Sequence, residues 1–270
     1  MMLVLFALAA SLPVSPLTPS SPRQVTVVAT DYAFAMPDTL SAGAVTFRLK
    51  NDGHELHHLY LARLDGGRKA VDLVKALEAE GPPPAWATDA GGPNGVDPGM
   101  TSLATTVVLQ PGHYAALCII PSPGGAPHIT KGMYKDLVVT GSASSAALPR
   151  DKDMATIGLV DYAFDVSGHL RAGVHRVIVR NAGKQTHELE LAKLLPGKTP
   201  ADLGAWAEKM AGPPPAHFLG GVSPIAPGHE NELTLDLAPG HYVMLCFVPD
   251  AKDGKPHVAH GMVRDFVVGK

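Results

Sequence analysis

The sequence contains one pattern of potential metal ligands twice. The pattern reads Gly-His-Tyr-x3-Cys-x2-Pro and then Pro-His-x3-Gly-Met, and its two copies run from Gly112 to Met133 and from Gly240 to Met262. A thiolate, an imidazole and a thioether in this order are three of the four ligands of a blue-copper site. The only two cysteines, Cys118 and Cys246, occupy the same place in the two copies. The pattern therefore predicts two metal sites in two similar domains.

A type 1 copper site needs a second imidazole from elsewhere in the chain. The motif Asn-x-Gly-x3-His occurs at Asn51–His57 and again at Asn181–His187. The Asn-x-Gly part predicts a turn, and the His then opens the strand that follows. Each copy thus has an early His that could reach across to the later Cys, His and Met.

These residues resemble the cupredoxins, the family of small blue-copper proteins, over both repeats and nearly the whole mature chain. The resemblance implies an all-β chain of two tandem Greek-key β-sandwich domains and two copper ions, one per domain. It also implies that the Cys carries most of the electronic coupling and that the Met adjusts the potential. The implied ligands are His57, Cys118, His128 and Met133 in one site, and His187, Cys246, His257 and Met262 in the other.

The loop between the Cys and the second His departs from the family pattern, which usually places this His a few residues after the Cys. Here the spacing is Cys118-x9-His128 and Cys246-x10-His257. The extra residues, 122–126 and 250–255, lie between two prolines and include glycines, which favours a small projecting turn. Such a turn would leave the ligands in place.

The bulk composition is that of a turn-rich β protein with two domains. The chain has 270 residues, 46% hydrophobic and 17% charged, with 28 Gly and 25 Pro. A net charge of -3 gives no overall excess of basic residues, so a nucleic-acid partner is not expected. Residues 3–10 are an apolar run that predicts a signal peptide, and therefore a periplasmic or secreted protein, with residues 11–24 as a flexible lead-in. No other run is apolar enough to span a membrane.

Self-comparison indicates a duplication, with Asp31-Tyr32-Ala33-Phe34, a predicted core-edge element, recurring at residues 161–164. We expect domains at 25–141 and 154–270, joined by a linker at 142–153. Alternation around Val45, Phe47 and Leu49 predicts a half-buried strand. Further strands are predicted at 104–110, 114–120, 136–139, 231–237, 242–248 and 264–268.

One helix is predicted in each repeat. In the first, Val71, Val74 and Leu77 have helical spacing, and Gly81 is the predicted stop. In the second, Leu203, Trp206 and Met210 are the predicted packing residues. That helix begins with a Thr199 N-cap and Pro200 and stops at Gly212.

Other readings of the same residues remain open. Each Cys could be a small core hydrophobe, one of the two sites could be degenerate, or export could favour a Cys118–Cys246 disulfide. His113 and His241 should point away from the Cys face. The remaining histidines that do not repeat are expected to be exposed: His54, His58, His217, His229 and His260.

Three functions are compatible with the sequence. The first is an exported one-electron carrier or copper-binding protein with an unidentified redox partner. The second is an enzyme of the multicopper-oxidase or nitrite-reductase kind that uses interfacial copper in an oligomer. The chain has no His-x-His pair and no His beside either Cys, so a trinuclear cluster within one chain is not expected. The third is a metal-free interaction module.

Overall fold

The computed structural model describes residues 21–79, 83–143, 147–148, 150–207 and 212–269. The first repeat contributes strands β1 (Arg23–Thr30), β2 (Ala33–Ala35), β3 (Thr39–Ser41), β4 (Gly43–Asn51), β5 (Tyr60–Leu64), β6 (Ala87–Gly91), β7 (Ala104–Leu109), β8 (Gly112–Leu117) and β9 (Tyr134–Thr140), with helix α1 (Ala70–Glu78). The second contributes β10 (Ala155–Val160), β11 (Ala163–Ser167), β12 (Gly173–Asn181), β13 (His187–Leu194), β14 (Ala216–Ile225), β15 (Glu230–Leu237), β16 (Gly240–Leu245) and β17 (Val263–Val268), with helix α2 (Pro200–Ala207).

Both repeats contribute to both sheets. One sheet has the order β11-β10-β12-β15-β7-β4-β1-β2, and the other has the order β17-β16-β13-β14-β6-β5-β8-β9-β3. The repeats join through the antiparallel pairs β15–β7 and β14–β6. The predicted all-β class with one helix per repeat is confirmed.

Each repeat has its own hydrophobic core between the two sheets. In β4, Val45, Phe47 and Leu49 are almost completely buried, as their alternation predicts. The first core includes Cys118 and Met133, and the second includes the corresponding Cys246 and Met262. The predicted Cys and Met ligands are therefore held in place by packing in the two cores.

The two helices cover smaller apolar clusters outside these cores. In α1, the buried face consists of Ala70, Leu73 and Val74. The predicted face of Val71, Val74 and Leu77 is therefore off by about one residue, and Leu77 is exposed. The predicted start of α2 is confirmed, because Asp202 N–H donates to Thr199 Oγ1 at 3.2 Å and the Asp202 carboxylate accepts from Thr199 N–H at 2.8 Å.

Several predicted features lie outside the described residues. They include the signal peptide at residues 3–10, most of the lead-in, Gly81 and Met210. Within the described ranges, no helix combines the length and the hydropathy that a bilayer crossing requires.

Candidate metal centres

The ligand loop begins where β8 ends, at Leu117, so Cys118 is the first residue beyond the strand rather than inside it as predicted. Pro121 and Pro127 pair across the base of the extra segment, and His128 N–H donates to Ile120 O at 3.0 Å. A 3-10 turn, His128–Lys131, then leads to Met133. The predicted projecting turn is confirmed in this repeat.

The second ligand loop is built in the same way. Pro249 and Pro256 pair, and His257 N–H donates to Val248 O at 3.0 Å. Met262 N–H donates to His257 O at 3.0 Å. The longer loop therefore projects outward in both repeats and leaves Cys, His and Met adjacent.

The early His is held by the Asn-x-Gly turn. Asn51 Nδ2 donates to Glu55 O and Val96 O, both at 2.8 Å, and Asn51 Oδ1 accepts from Gly53 N–H at 2.9 Å. A Cβ atom at Gly53 would lie 2.7 Å from His57 Nε2, so only glycine fits against the ring. Equivalent contacts by Asn181 and Gly183 hold His187 in the second repeat.

These elements bring together three of the four predicted ligands in each repeat. In the first, His57 Nδ1 and His128 Nδ1 are 3.1 Å apart and lie 3.9 and 3.3 Å from Cys118 Sγ. The corresponding distances in the second repeat are 3.0, 3.9 and 3.4 Å. Met133 and Met262 are completely buried in the same cores.

These separations fit a metal ion. Metal–imidazole and metal–thiolate bonds are about 2.0 and 2.3 Å, so one ion can join nitrogen atoms up to about 4.0 Å apart and nitrogen to sulfur up to about 4.3 Å apart. All six measured separations are shorter than these limits. Two imidazoles, a thiolate and a buried thioether are the donor set of type 1 copper.

The protonation of the first pair of imidazoles also favours a cation. His57 Nε2 is 2.7 Å from Asp31 Oδ1, and His128 Nε2 is 2.8 Å from Glu55 Oε2. Burial lowers the pKa of both imidazoles, so each is neutral and donates Nε2–H to its carboxylate. Both Nδ1 lone pairs then face each other, an arrangement that a cation stabilises.

The carboxylate behind His57 is itself held in the charged form. Burial opposes ionisation, but hydrogen bonds from the His54 backbone and the His57 ring lower the pKa of Asp31 to about 2. His54, although highly exposed, therefore acts on the site through Asp31.

In the second centre, only one of the two imidazoles is hydrogen-bonded to a carboxylate. His187 Nε2 is 3.0 Å from Asp161 Oδ1, but His257 Nε2 is 3.7 Å from Asp250 Oδ2 and has no hydrogen-bond partner among the described residues. Burial, with His187 nearby, lowers the pKa of His257 to about 4. Asp250 instead accepts hydrogen bonds from Tyr162 and Gln185.

Both thiols are free and deeply buried, so the alternative of a Cys118–Cys246 disulfide does not apply. Burial raises the pKa of Cys118 to about 12 and also raises that of Cys246. Each Sγ accepts a backbone N–H, from His58 at 3.5 Å and from Glu188 at 3.4 Å. Without metal both sulfurs are therefore protonated.

The expectation that His58 is exposed is wrong. Its ring is buried, and Nε2 accepts from Ile119 N–H at 2.9 Å, directly after the Cys ligand. Glu188 replaces it in the second repeat, where Oε1 accepts from Phe247 N–H at 2.8 Å. Burial lowers the pKa of His58 to about 3 and raises that of Glu188 to about 7.

The remaining histidines follow the prediction. His54, His217, His229 and His260 are exposed, as is His113, while His241 is partly exposed and pairs with Asp265. The only other cluster of potential metal ligands found in the described part of the chain is Asp250, Asp253 and His260. Its carboxylates already accept hydrogen bonds from Tyr162, Gln185 and nearby backbone N–H groups.

The carboxylates behind the imidazoles are not among the site residues predicted from the sequence. Asp31 and Asp161 belong to the repeated Asp-Tyr-Ala-Phe motif, and repetition of a polar residue was a usable signal. Glu55 and Asp250 do not repeat, so no signal in the sequence singles them out.

No protein-family model and no curated protein matches the sequence. Among solved structures, auracyanin A, a "blue" copper protein from Chloroflexus aurantiacus, is 24% identical, and the match covers 44% of this chain and all of that one with a TM-score of 0.33. The Cu-containing nitrite reductase from Thermus scotoductus SA-01 is 13% identical over 93% of this chain and 62% of that one, with a TM-score of 0.26. The blue copper oxidase from Nitrosomonas europaea is 15% identical over 91% and 85%, with a TM-score of 0.27.

All three identities are below 25% and all three TM-scores are below 0.5, so the chemistry rests on the side chains described above. Those side chains fit two type 1 copper centres.

Proposed function

We propose that the protein is an exported copper protein that transfers single electrons through two type 1 centres, one in each repeat. In this proposal, residues 25–141 and 154–270 are its two domains, and a separate redox protein is its partner. The eight ligands are those that the sequence predicts. Bound copper would supply a one-electron Cu(II)/Cu(I) couple.

The observation that carries the proposal is the complete burial of every predicted ligand. The imidazoles, thiols and thioethers of both centres have essentially no exposed surface. A buried donor set that is fixed by hydrogen bonds and core packing changes little when one electron arrives. A bound ion held by these four donors would also lack the open position that catalytic sites keep for a substrate.

Copper reconstitution tests the binding part of the proposal. The mature protein should bind two copper ions and show a thiolate-to-copper band in the visible spectrum. Cys118→Ser and Cys246→Ser should each remove one ion and leave the other centre intact, because distant sites behave independently. A colourless protein without copper would refute the proposal, and loss of both ions in one variant would indicate a shared site.

A second measurement separates electron transfer from catalysis at the metal. Voltammetry should give reversible one-electron waves, and added azide should leave the visible and electron paramagnetic resonance spectra unchanged, since a closed centre cannot take an external ligand. Azide binding, or steady turnover of dioxygen or nitrite by the purified protein, would favour the enzyme alternative instead.

A further inference from the structure

The two repeats meet around an approximate two-fold axis. In the β7–β15 pair, Thr105 lies opposite its own counterpart, Leu233, while Ala104 and Thr106 each lie opposite the counterpart of the other. The other sheet is paired in the same reciprocal way, with Ile225 opposite Ala90 and Leu219 opposite Val96. Strand pairing therefore joins the two repeats in both sheets.

A hydrogen-bonded path crosses this interface. His58 N–H donates to Cys118 Sγ at 3.5 Å, and His58 Nδ1 is 3.3 Å from Asn94 Oδ1. Asn94 Nδ2 in turn donates to Leu189 O at 3.3 Å, in the second repeat. One residue earlier, Glu188 N–H donates to Cys246 Sγ at 3.4 Å.

The direction of each bond in this path is consistent. Because Ile119 N–H donates to His58 Nε2, the ring proton is on Nδ1, where it donates to Asn94 Oδ1. The Asn94 oxygen is therefore the acceptor, and its amide nitrogen is free to donate to Leu189 O and also to Val222 O at 3.4 Å. The bridge uses both ends of one amide.

The path is buried. His58 and Asn94 are each 2% exposed and Leu189 is completely buried, so direct bonds rather than solvent connect the two cores. Ser223 occupies the position that corresponds to Asn94 in the second repeat, and its hydroxyl donates to Pro93 O at 3.0 Å instead. Both side chains thus reach the other repeat, but of the two only Asn94 bonds to a side chain, that of His58, whose backbone N–H donates to a Cys Sγ.

We propose that Asn94 bridges the two centres and that electrons pass between them along this path. The inference rests on the proposed function, because it requires copper at both sites. With copper held by both ligand sets, the step would be a one-electron exchange in which one ion is oxidised from Cu(I) to Cu(II) as the other is reduced from Cu(II) to Cu(I), with no proton or third reactant consumed. Electron tunnelling is more efficient along covalent and hydrogen bonds than across gaps. The bridge would therefore let a redox partner that docks near one centre exchange electrons with both centres.

Flash photoreduction can measure this exchange. A photoactive ruthenium label on Gly124→Cys would deliver an electron to the first centre, since a side chain at Gly124 meets no atom within 4 Å. A Met262→Leu background should give the second centre a higher potential and a distinct band. The electron should then pass from the first centre to the second, which has the higher potential. The change in the visible band of the second centre reports its arrival.

Asn94→Ala and Asn94→Leu should slow this exchange severalfold, while the matched control Ser223→Ala should leave the rate unchanged. Unchanged exchange in Asn94 variants that retain both copper ions would overturn the bridge and leave the proposed function intact. A protein that binds no copper would instead refute the proposed function.

A measurement without any Asn94 substitution covers the case in which these variants fold poorly or lose copper. In the Cys246→Ser protein, Cu(I) should bind the first centre alone. Nuclear magnetic resonance should then show shifted backbone amide signals for Glu188 and Glu190, which flank the Leu189 carbonyl path in the second repeat. Amide signals that do not move when Cu(I) binds would contradict a link between the centres.

Discussion

Glu55 accepts a 2.8 Å hydrogen bond from Nε2 of His128, and the corresponding nitrogen of His257 has no such bond within the described part of the chain. The carboxylate near this imidazole comes from a different position in each repeat. In the first repeat it is Glu55, and the residue at the corresponding position in the second is Gln185. In the second repeat it is Asp250, which corresponds to Ser122 in the first. A carboxylate on the outer N–H raises the basicity of a metal-bound imidazole. The first centre should therefore stabilise Cu(II) more and have the lower reduction potential.

Glu55→Gln should raise the potential of the first centre by tens of millivolts. The amide keeps the shape and an acceptor oxygen but removes the charge. Loss of such an outer partner costs about 10- to 100-fold in metal affinity, and each tenfold change in relative affinity for the two oxidation states corresponds to about 59 mV for one electron. Voltammetry measures both centres at once, so the second wave is the internal control. Equal movement of both waves would show that Glu55 does not act through His128.

Met133→Leu should keep copper and raise the potential of the first centre, because a weak axial donor to Cu(II) is lost. Met and Leu have similar volumes, and a volume-conserving change in a core costs less than about 1.5 kcal/mol of stability. Met262→Leu should have the same effect on the second centre only. His57→Ala should be far more damaging, since it opens the ligand plane. Similar behaviour of the Met and His variants in copper content and voltammetry would show that the ligand roles are wrong.

The repeated motifs made the fold and the ligand types predictable from the sequence, because ligands occur at fixed spacings. The carboxylates behind the imidazoles were harder to predict, because Glu55 bonds to His128 at 2.8 Å, whereas Asp250, from a different element, stays 3.7 Å from His257 Nε2. His58 was wrongly expected at the surface. A His that appears in one repeat only gives no sign of burial, and its environment arises at the contact between repeats, where Asn94 from a distant segment supplies the partner. Contacts across an interface leave no local periodicity to read.

Copper binding should release one proton per centre at neutral pH. The thiols are protonated in the metal-free protein because burial raises the pKa of Cys118 to about 12 and also raises that of Cys246. The imidazoles are already neutral because burial lowers the pKa of His57 and of its counterparts, so they contribute none.

A pH-indicator dye in weak buffer gives the proton count during copper titration. We expect two protons for the full chain and one for Cys118→Ser. A count near zero would mean that the thiolates already exist without metal. Additional protons beyond two would indicate that imidazoles were charged before binding.

Glu190→Gln should stabilise the metal-free protein at neutral and alkaline pH and remove part of its pH dependence. Glu190 is buried at the contact between repeats, where Oε2 accepts from Gly95 N–H at 2.7 Å and Oε1 has no partner among the described residues. Burial, with Glu188 nearby, raises the pKa of Glu190 well above its ordinary value of 4.5. Because the folded state holds the proton more tightly than the unfolded state, the stability from protonated Glu190 is complete below pH 4.5. It is lost as pH rises towards the folded-state pKa.

The neutral amide keeps the acceptor for Gly95 and never ionises. Either side chain leaves one polar atom without a partner, so the gain at high pH comes from removing the buried charge and should be about 1–3 kcal/mol. Thermal unfolding of the metal-free protein across this pH range measures the effect. Asp236→Asn is the matched control, because Asp236 is an exposed acid on β15, and its pH profile should match that of the parent protein. If Glu190→Gln unfolds with the parent's pH profile, the pKa of Glu190 must be similar in the folded and unfolded states, which would contradict the raised folded-state pKa.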